Sequence, residues 1–218
     1  LVKMALRDSR RNRSRLLLFI SSIVLGIAAL VAINSFGENL TSEINSEARN
    51  LLGADIEIES RSPISDTLKQ FLVDKELALS EERSFASMVF FPKNEGTRLI
   101  NVRAIDSQYP FYGEIETVPP NAGKNFAAQL EAAVDKSLML QFDVAAGDSV
   151  KLGTTTFKIA AQVKNTPGQS AISTTVAPPV FIPLSELDST GLMKTGSRVN
   201  YKLYGKFPEG VDSKRFFN

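Results

Sequence analysis

The chain has 218 residues and a formal net charge of +1, of which the first fifteen residues carry +5, so that −4 remains for the rest. This balance predicts no nucleic-acid partner, because no basic face is expected beyond residue 15. The chain contains no cysteine and no histidine, which excludes disulfides, thiolate metal sites and the commonest general base, so no catalytic, metal or cofactor site is predicted.

The first predicted element is a membrane helix over residues 16–37, an uncharged segment that follows the basic segment 1–15. About 20 apolar residues at about 1.5 Å each cross a hydrocarbon core of about 30 Å. Basic flanks stay in the cytoplasm, so the N-terminus is predicted inside and the main domain outside. The alternative is a secretory signal peptide, but its apolar part is shorter, about 7 to 15 residues, and the best cleavage match, Leu30-Val31-Ala32, is poor.

Two residue patterns lie on this helix and its continuation. Small residues at spacings of four and three, which let another membrane helix approach closely, are Ser22, Gly26 and Ala29. An apolar stripe at helical spacing continues past residue 37 and predicts a stalk helix over 38–53; its members include Phe36, Leu40, Ile44, Ala48 and Leu51. Gly53 is predicted to cap that helix. The alternative is that the stripe simply packs against its own domain.

Residues 54–118 predict the first part of an α+β layer. Alternating apolar and acidic residues over 54–61 predict a half-buried strand. Ser65 can cap a following helix, because its side-chain oxygen can accept from an early backbone N–H. Residues 84–91 and 97–105, joined by a turn-rich link, predict a β-hairpin.

Turn residues over 107–125 indicate a boundary, after which residues 119–195 predict a β-rich inserted subdomain, a small twisted sheet or barrel. The predicted elements of this subdomain are a short helix over 134–142 and strands over 149–152 and 155–163, and a further strand over 198–207 follows it. Residues 176–184 are predicted to be extended but outside any central strand, because they contain three prolines. Residues 196–218 are predicted to return to the first layer.

Candidate contact residues are few. The aromatic residues Tyr109, Phe111 and Tyr112 and the loop 165–175 are the best candidates for contact with a partner or an apolar ligand. The alternative for the aromatic residues is burial beneath a turn, which is the more common place for large aromatic side chains. The acids Glu57 and Glu59 could form a carboxylate pair, but a solvated strand face explains their spacing better.

Several stretches occur in the order that is typical of a known family. They are Gly53-Ala54-Asp55-Ile56-Glu57-Ile58, Asn101-Val102-Arg103-Ala104-Ile105-Asp106, Tyr109-Pro110-Phe111-Tyr112-Gly113-Glu114, Thr117-Val118-Pro119-Pro120, Ala146-Gly147-Asp148, Ala177-Pro178 and Thr195-Gly196-Ser197-Arg198-Val199. With the basic entry and single membrane helix, they resemble the start of an ABC-transporter permease of the MacB/FtsX type. The YbbP-like subgroup, which is associated with a lysophospholipase-L1-like esterase, is the more similar part of that family.

The resemblance implies an N-terminal fragment of a bacterial inner-membrane permease with its main domain in the periplasm. It implies partners: a separate ABC ATPase subunit dimer that binds ATP, the remaining transmembrane helices and second half of the permease, membrane lipid and an SGNH-type esterase. The chain itself would be no enzyme and would hold no cofactor. It would pass movement, driven by ATP hydrolysis, to the periplasmic side and so extract or deliver an apolar molecule or lipid. The alternative function is an extracytoplasmic sensor or ligand-binding domain anchored by one helix.

Overall fold

The computed structural model describes residues 13–120, 122, 130–166, 176–193 and 198–208. The chain divides into two compact units, Leu1–Ala48 and Arg49–Asn218. The second unit has the α+β architecture that the sequence predicts, with every described strand in one sheet.

In chain order the elements are α1 (Arg13–Leu52), β1 (Ile56–Ser60), α2 (Asp66–Asp74), β2 (Ala78–Phe91), β3 (Gly96–Ile105), β4 (Glu116–Val118), β5 (Glu131–Asp135), α3 (Lys136–Gln141), β6 (Ser149–Leu152), β7 (Thr155–Asn165), β8 (Pro179–Pro183), two 3₁₀ turns (Leu184–Glu186 and Asp188–Thr190) and β9 (Asn200–Lys206).

Helix α1 is continuous over 40 residues, so the predicted membrane and stalk segments lie on one helix. At about 1.5 Å per residue it is about 60 Å long. Its large hydrophobic side chains are exposed, and among the described residues it is the one helix that is long and apolar enough to cross a membrane. The helix ends where the sequence predicts, immediately before Gly53, whose φ is +71°.

Strand β9 lies between β1 and β2 and is antiparallel to both. The first strand of the layer therefore pairs with the last described strand, Ile56 opposite Gly205, across about 150 residues of chain. Helix α2 begins as predicted, because the Ser65 hydroxyl accepts from the Leu68 N–H. An apolar cluster forms around this helix and two strands; its buried members are Leu72, Leu77, Leu203 and Phe207.

The predicted hairpin is confirmed, with Phe91 opposite Gly96 at its closed end. Strand β2 begins at Ala78, six residues earlier than predicted, and is 14 residues long. Residues 78–84 pair with β9, and Val89 and Phe90 near its other end pair with β6. Strand β2 therefore belongs both to the layer with β1 and to the β-rich part of the sheet.

Six strands close into a ring, in the order β2, β3, β8, β5, β7 and β6, with β6 pairing back to β2. Closure removes open edges from these strands. The largest apolar cluster comes mainly from these strands and includes Phe91, Ile100, Leu152, Phe157 and Ile182. The predicted barrel-like module is thus present, but it shares β2 and β3 with the first layer. The domain limits at 118/119 and 195/196 stay a prediction.

Strand β8 corrects one expectation. It lies between β3 and β5, so part of the proline-containing segment 176–184 is a central strand. The prolines that bound it, Pro179 and Pro183, occupy its first and last positions, where a missing N–H interrupts the ladder least. The three residues between them keep their backbone donors and are fully buried, which is why this strand tolerates two prolines.

The predicted helix over 134–142 is also corrected. Residues 131–135 form β5, which the sequence reasoning missed, and α3 occupies only 136–141. The start of α3 is fixed by Asp135, whose carboxylate accepts from the Ser137 N–H. Val134 pairs with Val180 of β8 and is fully buried, so it belongs to the strand and not to the helix. The remaining predicted strands agree with the structure to within two residues at each end.

Candidate functional site

The last turn of α1 belongs to the second unit and is bonded through Gly53 to a loop of that unit. The Gly53 N–H donates to the Arg49 carbonyl over 2.8 Å, which closes the last turn of the helix. The Gly53 carbonyl in turn accepts from the N–H groups of Phe111 and Tyr112, at 2.8 Å and 3.2 Å. Glycine is suited to this point because its φ is +71° and a Cβ there would lie 2.9 Å from Pro110 Cβ.

Asp55 joins three other elements to this anchor. Its carboxylate has 3% exposure and lies 2.8 Å from Arg49 Nε in the last turn of α1. The same carboxylate accepts from the Tyr112 hydroxyl over 2.8 Å and from the Phe207 N–H over 2.9 Å. We call the set Arg49, Gly53, Asp55, Tyr109 and Tyr112 the junction. It connects the helix end to the 106–113 loop and to the end of β9.

The charge of Asp55 affects the tyrosine beside it. Partial burial, the hydrogen bond to the carboxylate and its negative charge raise the pKa of Tyr112 to about 12. The guanidinium of Arg49 and the ammonium of Lys206 also lie near the Tyr112 ring, at 5.8 Å and 5.4 Å from its centroid. Tyr112 therefore stays protonated and donates to Asp55 throughout the physiological pH range.

A buried network continues from the junction into the sheet. Tyr109 donates to the Leu52 carbonyl over 3.3 Å, and its ring packs on that of Tyr204 with centroids 4.3 Å apart. The Tyr204 hydroxyl donates to Glu82 Oε2 over 3.0 Å. Glu82 and Arg103 form a two-pronged ion pair at 2.7 Å and 2.6 Å. We call Tyr204, Glu82 and Arg103 the buried network.

Burial and charge act together on the groups of this network. Burial disfavours the charged form of Arg103, but the charge and hydrogen bonds of Glu82 outweigh it, so the pKa of Arg103 is raised. Burial raises the pKa of Tyr204 and of Tyr109, and the negative charge of Glu82 raises both further. Both Glu82 oxygens accept hydrogen bonds, so the carboxylate holds β2, β3 and β9 together.

The structure places the predicted site residues as follows. The helix-packing and stalk residues are all exposed on α1; they are Ser22, Gly26, Ala29, Phe36, Leu40, Ile44, Ala48 and Leu51. Tyr109 is buried, whereas Phe111 and Tyr112 are half-buried. The contact role of these residues stays a prediction, and most of the 165–175 loop lies outside the described residues. Glu57 pairs with Lys202 at 2.5 Å, whereas Glu59 is exposed.

The sequence did not reveal three residues of the candidate site, which are Asp55, Glu82 and Arg103. Asp55 was part of a recognised motif, but its partners lie up to 152 residues away in the chain. Glu82 and Arg103 lie diagonally across the hairpin, since Glu82 is opposite Ile105. Opposite charges at such positions can interact, so an extended hairpin register could have identified this pair.

Comparison with known proteins gives the family. The family model of the MacB-like periplasmic core domain matches residues 16–216. Over 192 residues the chain is 25% identical to the uncharacterized ABC transporter permease YbbP of Escherichia coli strain K12. That alignment covers 88% of this chain and 23% of the relative, so the chain spans less than a quarter of that permease.

Two transporter domains are among the solved structures that the chain resembles in part. The periplasmic region of MacB from Actinobacillus actinomycetemcomitans has a TM-score of 0.42 at 15% identity, covering 64% of this chain and 62% of that one. The extracellular domain of the noncanonic ABC-type transporter YknZ from Gram-positive bacteria has a TM-score of 0.40 at 12% identity, covering 62% and 68%.

Proposed function

Because the chain belongs to the MacB-like periplasmic core domain family, we propose that it forms the first membrane helix and part of the first extracytoplasmic domain of an ABC transporter permease. In this proposal a partner ATPase subunit dimer hydrolyses ATP on the cytoplasmic face. The remaining membrane helices of the permease pack against α1 through Ser22, Gly26 and Ala29. Movement of α1 then drives extraction or delivery of an apolar molecule or lipid outside the membrane.

The observation that carries this proposal is the junction. A transport lever must end in a joint that cannot swivel freely, because a loose joint would dissipate movement before it reached the domain. Here the last helical turn is held by an ion pair between Arg49 and Asp55, and the carbonyl of Gly53 accepts two backbone hydrogen bonds. Any rotation of the helix end would have to break or carry these contacts.

The buried network supports the same proposal. Tyr109 contacts both the helix end, through the Leu52 carbonyl, and Tyr204 on β9. Tyr204 is bonded to Glu82 on β2, which is paired with Arg103 on β3. We propose that these contacts pass a displacement of the helix end to three neighbouring strands. Discrete contacts of this kind carry coupling between separate parts of a protein.

Orientation follows from charge. The six basic residues of segment 1–15 stand against one acid, and short basic flanks remain cytoplasmic. We place the N-terminus inside and the unit Arg49–Asn218 in the periplasm. We also propose that an SGNH-type esterase binds this domain.

The test is made on the full-length permease, purified from detergent-solubilised membranes. We expect a nucleotide-binding subunit to co-purify and its ATPase activity to depend on the permease. In liposomes that contain a fluorescent phospholipid analogue, Leu40→Pro should abolish ATP-driven removal of the analogue while ATP hydrolysis continues. Proline inside a helix removes a hydrogen bond and costs about 3 kcal/mol, so it breaks the lever.

Leu40→Ala is the matched control, because alanine keeps the helix while removing the same exposed side chain. It should leave hydrolysis and lipid removal coupled. Purification of the permease without any nucleotide-binding subunit, or with a signalling region on the same chain, would instead favour the sensor function. Equal loss of coupling in both variants would mean that the side chain matters and the continuity of the helix does not.

A further inference from the structure

A cavity of about 470 Å³ lies at the end of β1 that is remote from the junction. It is lined by Arg61, Arg198, Val199 and Asn200. Strands β1 and β9 are antiparallel, with Ser60 opposite Tyr201, so Arg61 and Asn200 are the next residues along this ladder. The strand is five residues long, which separates the cavity from the junction by about 17 Å.

The two arginines of this cavity have no carboxylate partner. Within the described residues, Arg49 and Arg103 each form an ion pair at 2.8 Å or less, whereas Arg61 and Arg198 form none. No acidic residue is among the described residues that line the cavity, and the nearest acid along β1 is Glu59, two residues before Arg61. Both guanidinium groups of the cavity are therefore without an ion-pair partner in the part of the chain that the structure describes.

A third arginine, Arg83, lies on the neighbouring strand β2. Arg83 lies on β2 directly across from Tyr201, which follows the lining residue Asn200. Its Nε is buried and has no acceptor among the described residues. Its guanidinium carbon is 5.9 Å from the centroid of the Tyr201 ring. Because side chains alternate between the two faces of a sheet, Arg83 and Tyr201 lie on the face opposite to Asn200, and Arg83 does not line the cavity.

We propose that this cavity binds the oxyanion group of a small molecule, a phosphate or a carboxylate. Arginine presents its N–H donors in a rigid fork that matches two oxygens of such a group. Asn200 adds an amide donor, and the buried side chain of Val199 gives an apolar wall. The volume lies within the range of about 300–1,000 Å³ that is typical of small-molecule sites. This inference does not rest on the transport proposal.

The experiment uses the full-length permease without its ATPase, in phosphatidylcholine nanodiscs, titrated calorimetrically with inorganic phosphate at constant ionic strength. We expect saturable binding that Arg61→Ala and Arg198→Ala each weaken by about tenfold or more, since a hydrogen bond to a charged group is lost in each. Arg198→Lys should be intermediate, because lysine keeps the charge and loses the fork. Both arginines are exposed, so the fold should survive these changes.

Lys158→Ala is the matched control, because it removes one exposed positive charge from β7, which does not line the cavity. It should leave phosphate affinity unchanged. A second titration in nanodiscs that contain phosphatidylglycerol distinguishes two sources of the ligand. If the lipid lowers the phosphate affinity of the wild type but not that of the arginine variants, the ligand is a lipid head group. If the affinity of the wild type is unchanged, the ligand is a dissolved anion. Absence of binding, or an equal effect of Lys158→Ala and Arg198→Ala, would overturn the proposal.

Discussion

The junction with its buried network and the interior of the six-stranded ring are stabilised in different ways. The interior of the ring is apolar, with side chains such as Phe157 and Ile159 fully buried. The network instead buries a carboxylate, a guanidinium and a tyrosine hydroxyl that satisfy one another through short hydrogen bonds. Apolar packing has no preferred direction, whereas these hydrogen bonds fix one arrangement of the strands.

This difference predicts different responses to mutation. Removal of a buried methyl group from the interior of the six-stranded ring lowers the free energy of unfolding. The loss is the transfer free energy of that group plus a contribution from the small cavity that it leaves. Removal of either Glu82 or Arg103 from the buried network leaves the other charge buried without its partner. This lowers the free energy of unfolding by more than the loss of a buried methyl group does.

The largest effect is expected for Arg103→Ala. This change leaves the Glu82 carboxylate buried at 2% exposure without its cation, and we expect a loss of about 3–5 kcal/mol in the free energy of unfolding. It also removes the guanidinium that lies 4.8 Å from the centroid of the Phe181 ring. Urea unfolding of the purified protein in detergent, followed by circular dichroism, measures the loss.

The double variant Glu82→Gln with Arg103→Met is the control for this prediction. It removes both charges while the glutamine oxygen can still accept from Tyr204. We expect it to recover most of the lost stability, because replacement of a buried pair costs much less than its disruption. A double variant as unstable as Arg103→Ala would mean that packing, and not the unpaired charge, causes the loss.

A smaller effect is expected for Gly53→Ala. The new Cβ would lie 2.9 Å from Pro110 Cβ, and alanine at a φ of +71° costs about 1–2 kcal/mol before that clash is counted. Gly113→Ala is a closely matched control, because the φ of Gly113 is +68° and a Cβ there would lie 3.5 Å from the Asn50 carbonyl oxygen, an ordinary contact distance. The difference between the two urea midpoints measures how tightly the 106–113 loop closes on the helix end. Equal midpoints would contradict a close contact there.

A mutation in the interior of the six-stranded ring should destabilise the protein less than Gly53→Ala does. Ile159→Val removes one methyl group from a fully buried side chain and should cost about 0.5–1.5 kcal/mol. No charged group is left unpaired, so the loss should be the same at pH 6 and pH 9. A loss as large as that of Arg103→Ala would remove the distinction between the two regions.

Sequence reasoning identified the elements that depend on neighbouring residues. Gly53 at the helix end, Ser65 at the start of α2 and the turn after Phe91 were all predictable, because each depends on residues within one turn. Strand β8 was assigned outside any central strand, because its parallel pairing with β3 joins Val102 to Val180, far apart in the chain. Proline content alone could not reveal that both prolines lie at the ends of that strand.

The candidate site was less predictable for the same reason. Asp55 was recognised only as part of a Gly-x-Asp motif, since its binding partners come from loop 106–113 and from residue 207. The alternation of β1 correctly indicated a half-buried strand, yet it gave no information about what would cover the carboxylate. Contacts between distant segments determine the junction, and no local pattern encodes them.

The smallest effect is expected for Tyr112→Phe, which removes one hydrogen bond to Asp55 from a half-buried tyrosine. We expect a loss below about 1 kcal/mol near pH 7. The folded pKa of about 12 is higher than the value of about 10 in an unfolded chain, so the tyrosine stabilises the fold fully below pH 10. This contribution falls as the pH rises from 10 towards 12, because the unfolded chain loses its proton first.

The difference in stability between the wild type and Tyr112→Phe should therefore be constant from pH 7 to 9 and shrink by pH 11. Subtracting the two urea curves cancels the ionisation of Tyr109 and Tyr204, whose raised pKa values are common to both proteins. A difference that stays constant to pH 11 would mean that the hydroxyl does not donate to Asp55. In that case the 106–113 loop would be tied to the helix end through the Gly53 carbonyl and the Tyr109 hydroxyl, without Asp55.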